Sequence, residues 1–567
     1  TVLALALFAA IGIRLVVLQV GDTAAYADGG LEQRLRKVAL AAPRGAIYDR
    51  SGAVLVRTVE GRYVYADPEE VQDPAAAAVK LSPLLGIKRS LLEQTMRKKK
   101  RPDGVASRFE YLARGVDVDV AEKIMALKLP GIGSHRDERR DVPGHDLAAN
   151  LIGFTGTDLS GLEGLEARYD QLLRGVDGER IYEQGNPDTG VGKEIPGGHR
   201  RETPARPGTS LQLTIHRDLQ FEIQRILTRS AKQVNATIAA AVLIDVRAGE
   251  VLAQASHPPY NAAKPFDAKP VDREDVATSV VVDPGSVHKA LIFGAALNEG
   301  LINADSTMKI GPAIRKGDTT FTDTQPHKQG TRVTMPGLLA YSSNVGTIAL
   351  ADLLTPRKVY DYQLKFGLGK ATGVGVPGEA SGRVLKPEQW NASSHGSIPI
   401  GHSVDVTPLQ MAAAYAAIAN DGTWIQPHLI KESISPDGVR TAAPPPQRRQ
   451  VISPKAAADL RTMLEAVTTV ERGTGTVAAI PGYRVAGKTG TGARVVDGKY
   501  VAGEVSSFVG MAPADNPRYV VAVFAHAPGN NGGDAVSSAF RDMMGFTLRH
   551  YQVPPTGTKP PKFVITR

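Results

Sequence analysis

The 567-residue sequence contains no cysteine, so disulfides and thiolate metal sites are excluded. Such a composition suits an extracytoplasmic protein, where a stray thiol would oxidise. Aromatic residues make up only 5%, and no Lys/Arg-rich segment is interleaved with them. Nucleic-acid binding, which relies on cationic surfaces and stacking rings, is not predicted. The 12 histidines show no HExxH or comparable ligand spacing, so neither a metal nor a cofactor is predicted. The close glycines of residues 138–170 lack the pattern of a phosphate loop and read as tight turns.

What is present is a long, basic chain. Its length calls for two or three domains. A net charge of +9, with no nucleic acid to bind, leaves an anionic membrane surface or a cell-wall polymer as the counterpart. Residues 2–20, VLALALFAAIGIRLVVLQV, are almost wholly apolar and about long enough for one membrane span. Arg14 interrupts them, and a cation at the bilayer centre is costly. The sequence begins at Thr1 and not at Met, so the span is expected to start upstream, with Arg14 snorkelling at the outer interface. A cleaved signal peptide and a buried core helix are the alternatives.

Beyond this segment, residues 23–37 read as a polar helix, and Ser51-Gly52 as a hairpin turn. Arg44, Asp49 and Arg50 are expected to form a structural charge cluster. The run Arg97 to Arg101 reads as a solvated face. The Pro/Gly/Arg-rich stretch His199 to Gly208 marks a domain boundary. Strands are expected at 211–215, 239–245 and 251–255, with a helix at 218–233. Residues 554–567, rich in Pro and Lys, read as a loose tail.

The chemistry centres on Asp283-Pro284-Gly285-Ser286-Val287-His288-Lys289 and the apolar run after it. Pro284-Gly285 reads as a turn into a helix that Gly300 ends. On that helix Ser286 and Lys289 share a face. A serine hydroxyl needs a base to become a nucleophile, and a lysine serves once burial or a second cation lowers its pKa. An ordinary surface Ser and Lys would show the same spacing, so this stretch alone does not decide. Two further elements follow in order: Ser342-Ser343-Asn344, and Lys488-Thr489-Gly490 with Thr491. Together the three resemble the motif set of serine β-lactamases and penicillin-binding proteins.

Over nearly the whole chain the sequence resembles a class B penicillin-binding protein. The apolar start, Arg44-Gly45 with Asp49-Arg50 and Gly52, then Gly161/Gly164/Glu166, then the three motifs, fall in that family's order. The resemblance implies an α+β protein: a membrane anchor at 1–20, an elongated, non-catalytic pedestal (dimerisation) domain at 21–205, a transpeptidase domain at 206–553 with a five-stranded antiparallel sheet flanked by helices, and the tail at 554–567. It implies a peptidoglycan D,D-transpeptidase that cross-links stem peptides through an acyl-enzyme and is inhibited by β-lactams. Ser286 would be the nucleophile and Lys289 its base. Ser342 and Lys488 would relay the proton, and Asn344 would hold Lys289 and the substrate amide. Thr489, Gly490 and Thr491 would bind substrate, and the N–H groups of Ser286 and Thr491 would meet the oxyanion.

The segment 401–422 and Ser342–Gly346 look most like the septal, FtsI type. The implied location is the bacterial cell membrane, single-pass, with catalysis outside. The implied partners are peptidoglycan stem peptides on a lipid-linked polymer, an FtsW-type glycosyltransferase and other division proteins. An elongation-type transpeptidase, a β-lactam hydrolase and a β-lactam sensor are the alternatives. One position departs from the family: His288 stands where an aromatic is usual. It is expected to pack or face solvent, pointing away from Ser286 and Lys289.

Overall fold

The computed structural model describes residues 2–17, 29–32, 34–102, 104–185, 194–496, 498–529 and 532–567. The chain forms two compact units that interleave along the sequence. One comprises Thr1–Gly45, Thr58–Arg140 and Gln171–Thr209; the other comprises Ala46–Arg57, Asp141–Asp170 and Ser210–Arg567. A single cut near residue 205 does not anticipate this exchange of segments.

In the first unit, Val2–Val16 is helical with no buried side chain. Among the described residues no helix is long and apolar enough to cross a membrane. Residues 18–20 of the expected span lie outside the described residues, as do 23–28 of the expected polar helix. At its other end that helix gives way to a strand: Leu35–Leu40 pairs antiparallel with Gly178–Glu183, which in turn pairs with Arg200–Thr203. The helices Pro74–Leu85, Arg89–Met96 and Val118–Ala126 bury Leu81, Leu92, Met96 and Ile124 with Val64 and Leu112 of neighbouring strands. The basic run stays at the surface, with Arg97, Lys98 and Lys99 paired to Glu93, Glu69 and Glu110. Such exposed pairs contribute little each.

The second unit is built on a five-stranded antiparallel sheet: β1 (Ile238–Asp245), β2 (Glu250–His257), β3 (Ala486–Val496), β4 (Lys499–Ala512) and β5 (Tyr519–Ala527). The order β2-β1-β5-β4-β3 leaves β3 at an edge. Every residue of β5 is buried, as are seven of the eight in β1, so both faces of these central strands are covered. The helices that matter here are α1 (Arg217–Gln233), α2 (Lys289–Asn298), α3 (Met335–Ala340), α4 (Asn344–Ala351), α5 (Pro408–Ala419) and α6 (Gly533–His550). Ile223, Leu227, Phe540 and Met544 of α1 and α6 join Leu243, Phe508 and Val521 of the sheet in one core. Helix α5, buried along its whole length, packs on β1, β4 and β5. A helix apolar all round belongs in an interior. Its start is fixed by Thr407, which caps Gln410 N in a reciprocal capping box, with Pro408 at the first helical position.

Two expectations change physically. Asp49 is no partner in a simple ion pair: Oδ1 accepts from Ser51 N, Ser51 Oγ and Ala53 N at 2.7–2.8 Å, and Oδ2 accepts from Arg217 N at 3.0 Å. It closes the Ser51-Gly52 turn and caps the start of α1, whose own N-cap residue, His216, makes no side-chain cap. Burial raises its pKa, but the hydrogen bonds from Ser51, Arg217 and Ala53 win and hold it below the ordinary value. Arg50 pairs instead with Glu250 at 3.1 Å. The close glycines of the second motif are backbone crossings: a Cβ on Gly161 would lie 2.1 Å from Glu166 O, and Gly164 packs on Gly153 N.

The tail is not loose. Thr556 N donates to Gly482 O, and Thr566 bridges Val333. Thr334, the N-cap of α3, donates from N to Ile565 O at 2.9 Å and from Oγ1 to Val564 O at 2.7 Å. Proline lacks an N–H but keeps its carbonyl, and an extended segment can still offer acceptors to a helix start. Deleting residues 557–567 is expected to cost about 2 kcal/mol, because buried Thr334 donors lose their acceptors. Thermal unfolding of the truncated protein measures it.

Candidate active site

The first motif is held against the sheet edge by its backbone. Asp283 N donates to Ala493 O at 2.8 Å, and Val282 bridges Arg494. The approach needs glycine on both sides. Gly285 has φ +58°, and a Cβ there would lie 2.0 Å from Thr491 O; a Cβ on Gly492 would lie 1.9 Å from Asp283 O. Gly285–His288 makes one 3-10 turn that runs into α2. Tyr415 of α5 donates to Val287 O at 2.7 Å and fixes that turn from beneath. Ser286 is left partly exposed at the start of the helical run. Ser286 and Thr491, expected to supply the oxyanion donors, flank the Gly285 contact.

Lys289 is fully buried, because the apolar residues after it make α2 an interior helix. Its ammonium has three donors and three acceptors: Ser342 O at 2.6 Å, Asn344 Oδ1 at 2.7 Å and Ser342 Oγ at 3.2 Å. Burial pulls its pKa down to about 7, opposed by the negative charge of Asp323. At an ordinary lysine pKa, fewer than about one side chain in a thousand would be neutral at pH 7. Ser342 reaches Lys289 from a left-handed backbone at φ +55° between α3 and α4. For a serine this costs about 1 kcal/mol and persists only where neighbours enforce it.

Lys488, Thr489, Gly490 and Thr491 lie on the edge strand β3. Lys488 is fully buried, and its pKa is pushed well below the ordinary value by burial first and by Lys289 second. Its Nζ donates to Thr489 O at 3.1 Å. Thr489 Oγ1 donates to Thr474 Oγ1 at 2.8 Å, while Thr491 faces outward. Gly490 has a different reason from the one expected. Its missing side chain makes room for the protein itself: a Cβ would meet Ser507 Oγ at 2.5 Å and Pro284 O at 2.8 Å. The stretch Gly482 to Thr489 also has the spacing of a phosphate loop, but Lys488 sits within a strand and not at a turn into a helix.

Sequence reasoning missed Asp323, Thr322 and Thr474. Asp323 is buried; Oδ2 accepts from Ser343 Oγ at 2.6 Å and Oδ1 from Val345 N at 2.9 Å. Thr322 O accepts from Asn344 Nδ2 at 2.9 Å. Neither residue has a spacing signal, since both come to the site through tertiary folding. His288 packs, as one of its two expected roles had it. Its Nε2 meets Gln363 Nε2 at 3.0 Å and its Nδ1 meets Pro399 O at 3.3 Å. Burial pushes its pKa down to about 4, against the Pro399 hydrogen bond, so it stays neutral. No group of His, Asp and Glu suited to a metal occurs among the described residues.

A serine and two buried lysines between an interior helix and a sheet edge define the serine acyl-transfer class of penicillin-binding enzymes. The family model for the penicillin-binding protein transpeptidase domain matches residues 239–545, and that for the penicillin-binding protein dimerisation domain matches 39–213. The chain is 34% identical to penicillin-binding protein PbpB of Mycobacterium tuberculosis, over 92% of this chain and 80% of that protein. It is 33% identical to peptidoglycan D,D-transpeptidase FtsI of Escherichia coli, over 98% and 92%. The crystal structure of penicillin-binding protein 3 from M. tuberculosis complexed with ampicillin superposes with a TM-score of 0.73 at 30% identity, covering 94% of this chain and all of that one. The chain belongs to the class B penicillin-binding proteins, of the PbpB and FtsI type.

Gly492→Ala tests the close contact. Its Cβ would push Asp283 and the serine turn off β3, and misplacement on the order of 1 Å can cost a hundredfold in rate. Stopped-flow acylation by a penicillin is expected to slow by about that factor.

Proposed function

We propose that the protein is a peptidoglycan D,D-transpeptidase acting through an ester on Ser286, in cell division. The observation that carries this is the convergence on Lys289: a separate chain segment places Ser342 and Asn344 around an amine that burial has brought to a pKa of about 7. Neutral Lys289 takes the proton from Ser286 Oγ as the oxygen adds to the carbonyl of the penultimate D-Ala. The N–H groups of Ser286 and Thr491 hold the oxyanion. The C–N bond then breaks, and the proton passes through Ser342 Oγ, assisted by Lys488, to the departing D-Ala amine. An amine of a second stem peptide attacks the ester carbonyl; the new C–N bond forms as the C–O bond to Ser286 breaks, and the amine's proton returns by the reverse relay to Ser286 Oγ. Thr489 and Thr491 hold the substrate carboxylate by hydroxyl, and Asn344 holds its amide. A β-lactam follows the first half of the same path and stops at the ester.

The same proposal assigns residues 1–20 to a single-pass anchor, 21–205 to the pedestal apart from Ala46–Arg57 and Asp141–Asp170, which fold with the second unit, 206–553 to catalysis outside the cell membrane and 554–567 to the tail. Support for the anchor is the apolar composition of residues 2–20 and the exposure of every side chain in Val2–Val16. The motifs shared with the septal type support the partners: lipid-linked peptidoglycan, an FtsW-type glycosyltransferase and other division proteins.

Two measurements check the chemistry. Labelling by a fluorescent penicillin is expected to vanish in Ser286→Ala, with mass spectrometry placing the wild-type adduct on Ser286; stoichiometric labelling of the variant would sink the assignment. Because the base must be neutral, acylation is expected to rise with pH through about 7, where Lys289 loses its proton. A flat profile from pH 5 to 9 would remove Lys289 from that role.

A further inference from the structure

The Ser342 turn is held from a side that its motif does not reveal. Strand Thr319–Thr322 ends beside it, and the two residues Thr322 and Asp323 make three hydrogen bonds to it. Thr322 O takes Asn344 Nδ2 at 2.9 Å, Asp323 Oδ1 takes Val345 N at 2.9 Å, and Asp323 Oδ2 takes Ser343 Oγ at 2.6 Å. Ser343 Oγ in turn accepts from Gly346 N, so the carboxylate is tied into the N-cap of α4. Between these anchors lies Ser342 in its left-handed conformation, with both of its oxygens on Lys289. Release of the anchors would let the turn relax and move the acceptors away from the amine.

We propose that Asp323 is a positioning residue for the acyl transfer: its buried carboxylate clamps the Ser342–Val345 turn onto Lys289. The inference rests on the function proposed above. The charged groups that face Lys289 are Asp323, from the segment after Thr319–Thr322, and Lys488, from β3; they act in opposite directions, and Ser342 and Asn344 are neutral. Asp323 stabilises the ammonium, so removing its charge makes Lys289 easier to deprotonate. A residue that acted through its shape alone would shift the proton affinity of Lys289 no more in Asp323→Asn than in Asp323→Glu.

The test is the pH dependence of penicillin acylation in the full chain. In Asp323→Asn the acidic limb is expected to move to lower pH by about one unit, while the plateau rate falls about tenfold as the clamp loosens. In Asp323→Glu, which keeps the charge, the limb stays with the wild type. Ser343→Ala withdraws one donor from the carboxylate and leaves its charge less neutralised, so its limb moves to higher pH. This variant carries the test by itself if Asp323→Asn does not fold, as melting curves will show. A limb unmoved in Asp323→Asn, or in Ser343→Ala where only that variant folds, overturns the inference. The wild type separates the two readings: without acylation of Ser286 in the wild type, the proposed function itself fails.

Discussion

The structure depends most on keeping one lysine amine out of water. A buried ammonium without partners costs many kcal/mol, so either acceptors surround it or it gives up its proton. Lys289 does some of each. Ser342 and Asn344 accept all three of its hydrogen bonds, yet burial still brings its pKa down to about 7. The apolar run of α2, the left-handed Ser342 and the buried Asp323 are all arranged around that amine. Lys488 adds a second buried lysine nearby, which no design for stability alone would place there. Stability is given up locally at the proposed base, a trade that active sites commonly show.

The second constraint is the open edge of the sheet. Edge strands invite unwanted pairing and are usually covered or interrupted. Here the far part of β3 is covered by the protein's own segment 282–285, through Ala493 and Arg494. The glycines at 285, 490 and 492 allow it to lie there without a layer of side chains between. The covering segment runs straight into Ser286, so protecting the edge and placing the proposed nucleophile are one structural act. Thr491 still faces outward just beside it. An extended peptide can use such an edge for main-chain hydrogen bonds.

Much of this was legible in the sequence, and for identifiable reasons. The strands at 239–245 and 251–255 were legible as short apolar runs, and they pair as expected of neighbours. The turn at Pro284-Gly285 and the helix after it followed from local rules, and the three motifs followed from their order. What failed was tertiary. The strand at Leu35–Leu40 reads locally as polar helix, and only pairing with Gly178–Glu183 makes it a strand. The tail looked loose because prolines interrupt any regular element, yet its carbonyls find Thr334. The neighbours that need Gly490 to lack a side chain, Ser507 and Pro284, are likewise brought there by folding. Asp323 has no local signature, since its partners lie about twenty residues on and are reached through folding.

The interleaving of the two units changes what the first family motif means. Arg44 and Gly45 belong to one compact unit, but Asp49, Arg50 and Gly52 belong to the other. There Asp49 caps α1, Arg50 pairs with Glu250 of β2, and Ile47–Tyr48 pairs in parallel with Leu211–Gln212. A sequence that seems to sit in a pedestal therefore supplies the cap for a core helix of the unit that holds Ser286. Those contacts span some 160 to 200 residues, and closing such long loops is entropically costly and slow. The second unit cannot complete α1 and the strand beside it until the chain from Ala46 to Arg57 has been brought in. The motif is thus a folding constraint on the acyl-transfer unit, which accounts for Asp49 and Arg50 without giving either a role in the chemistry.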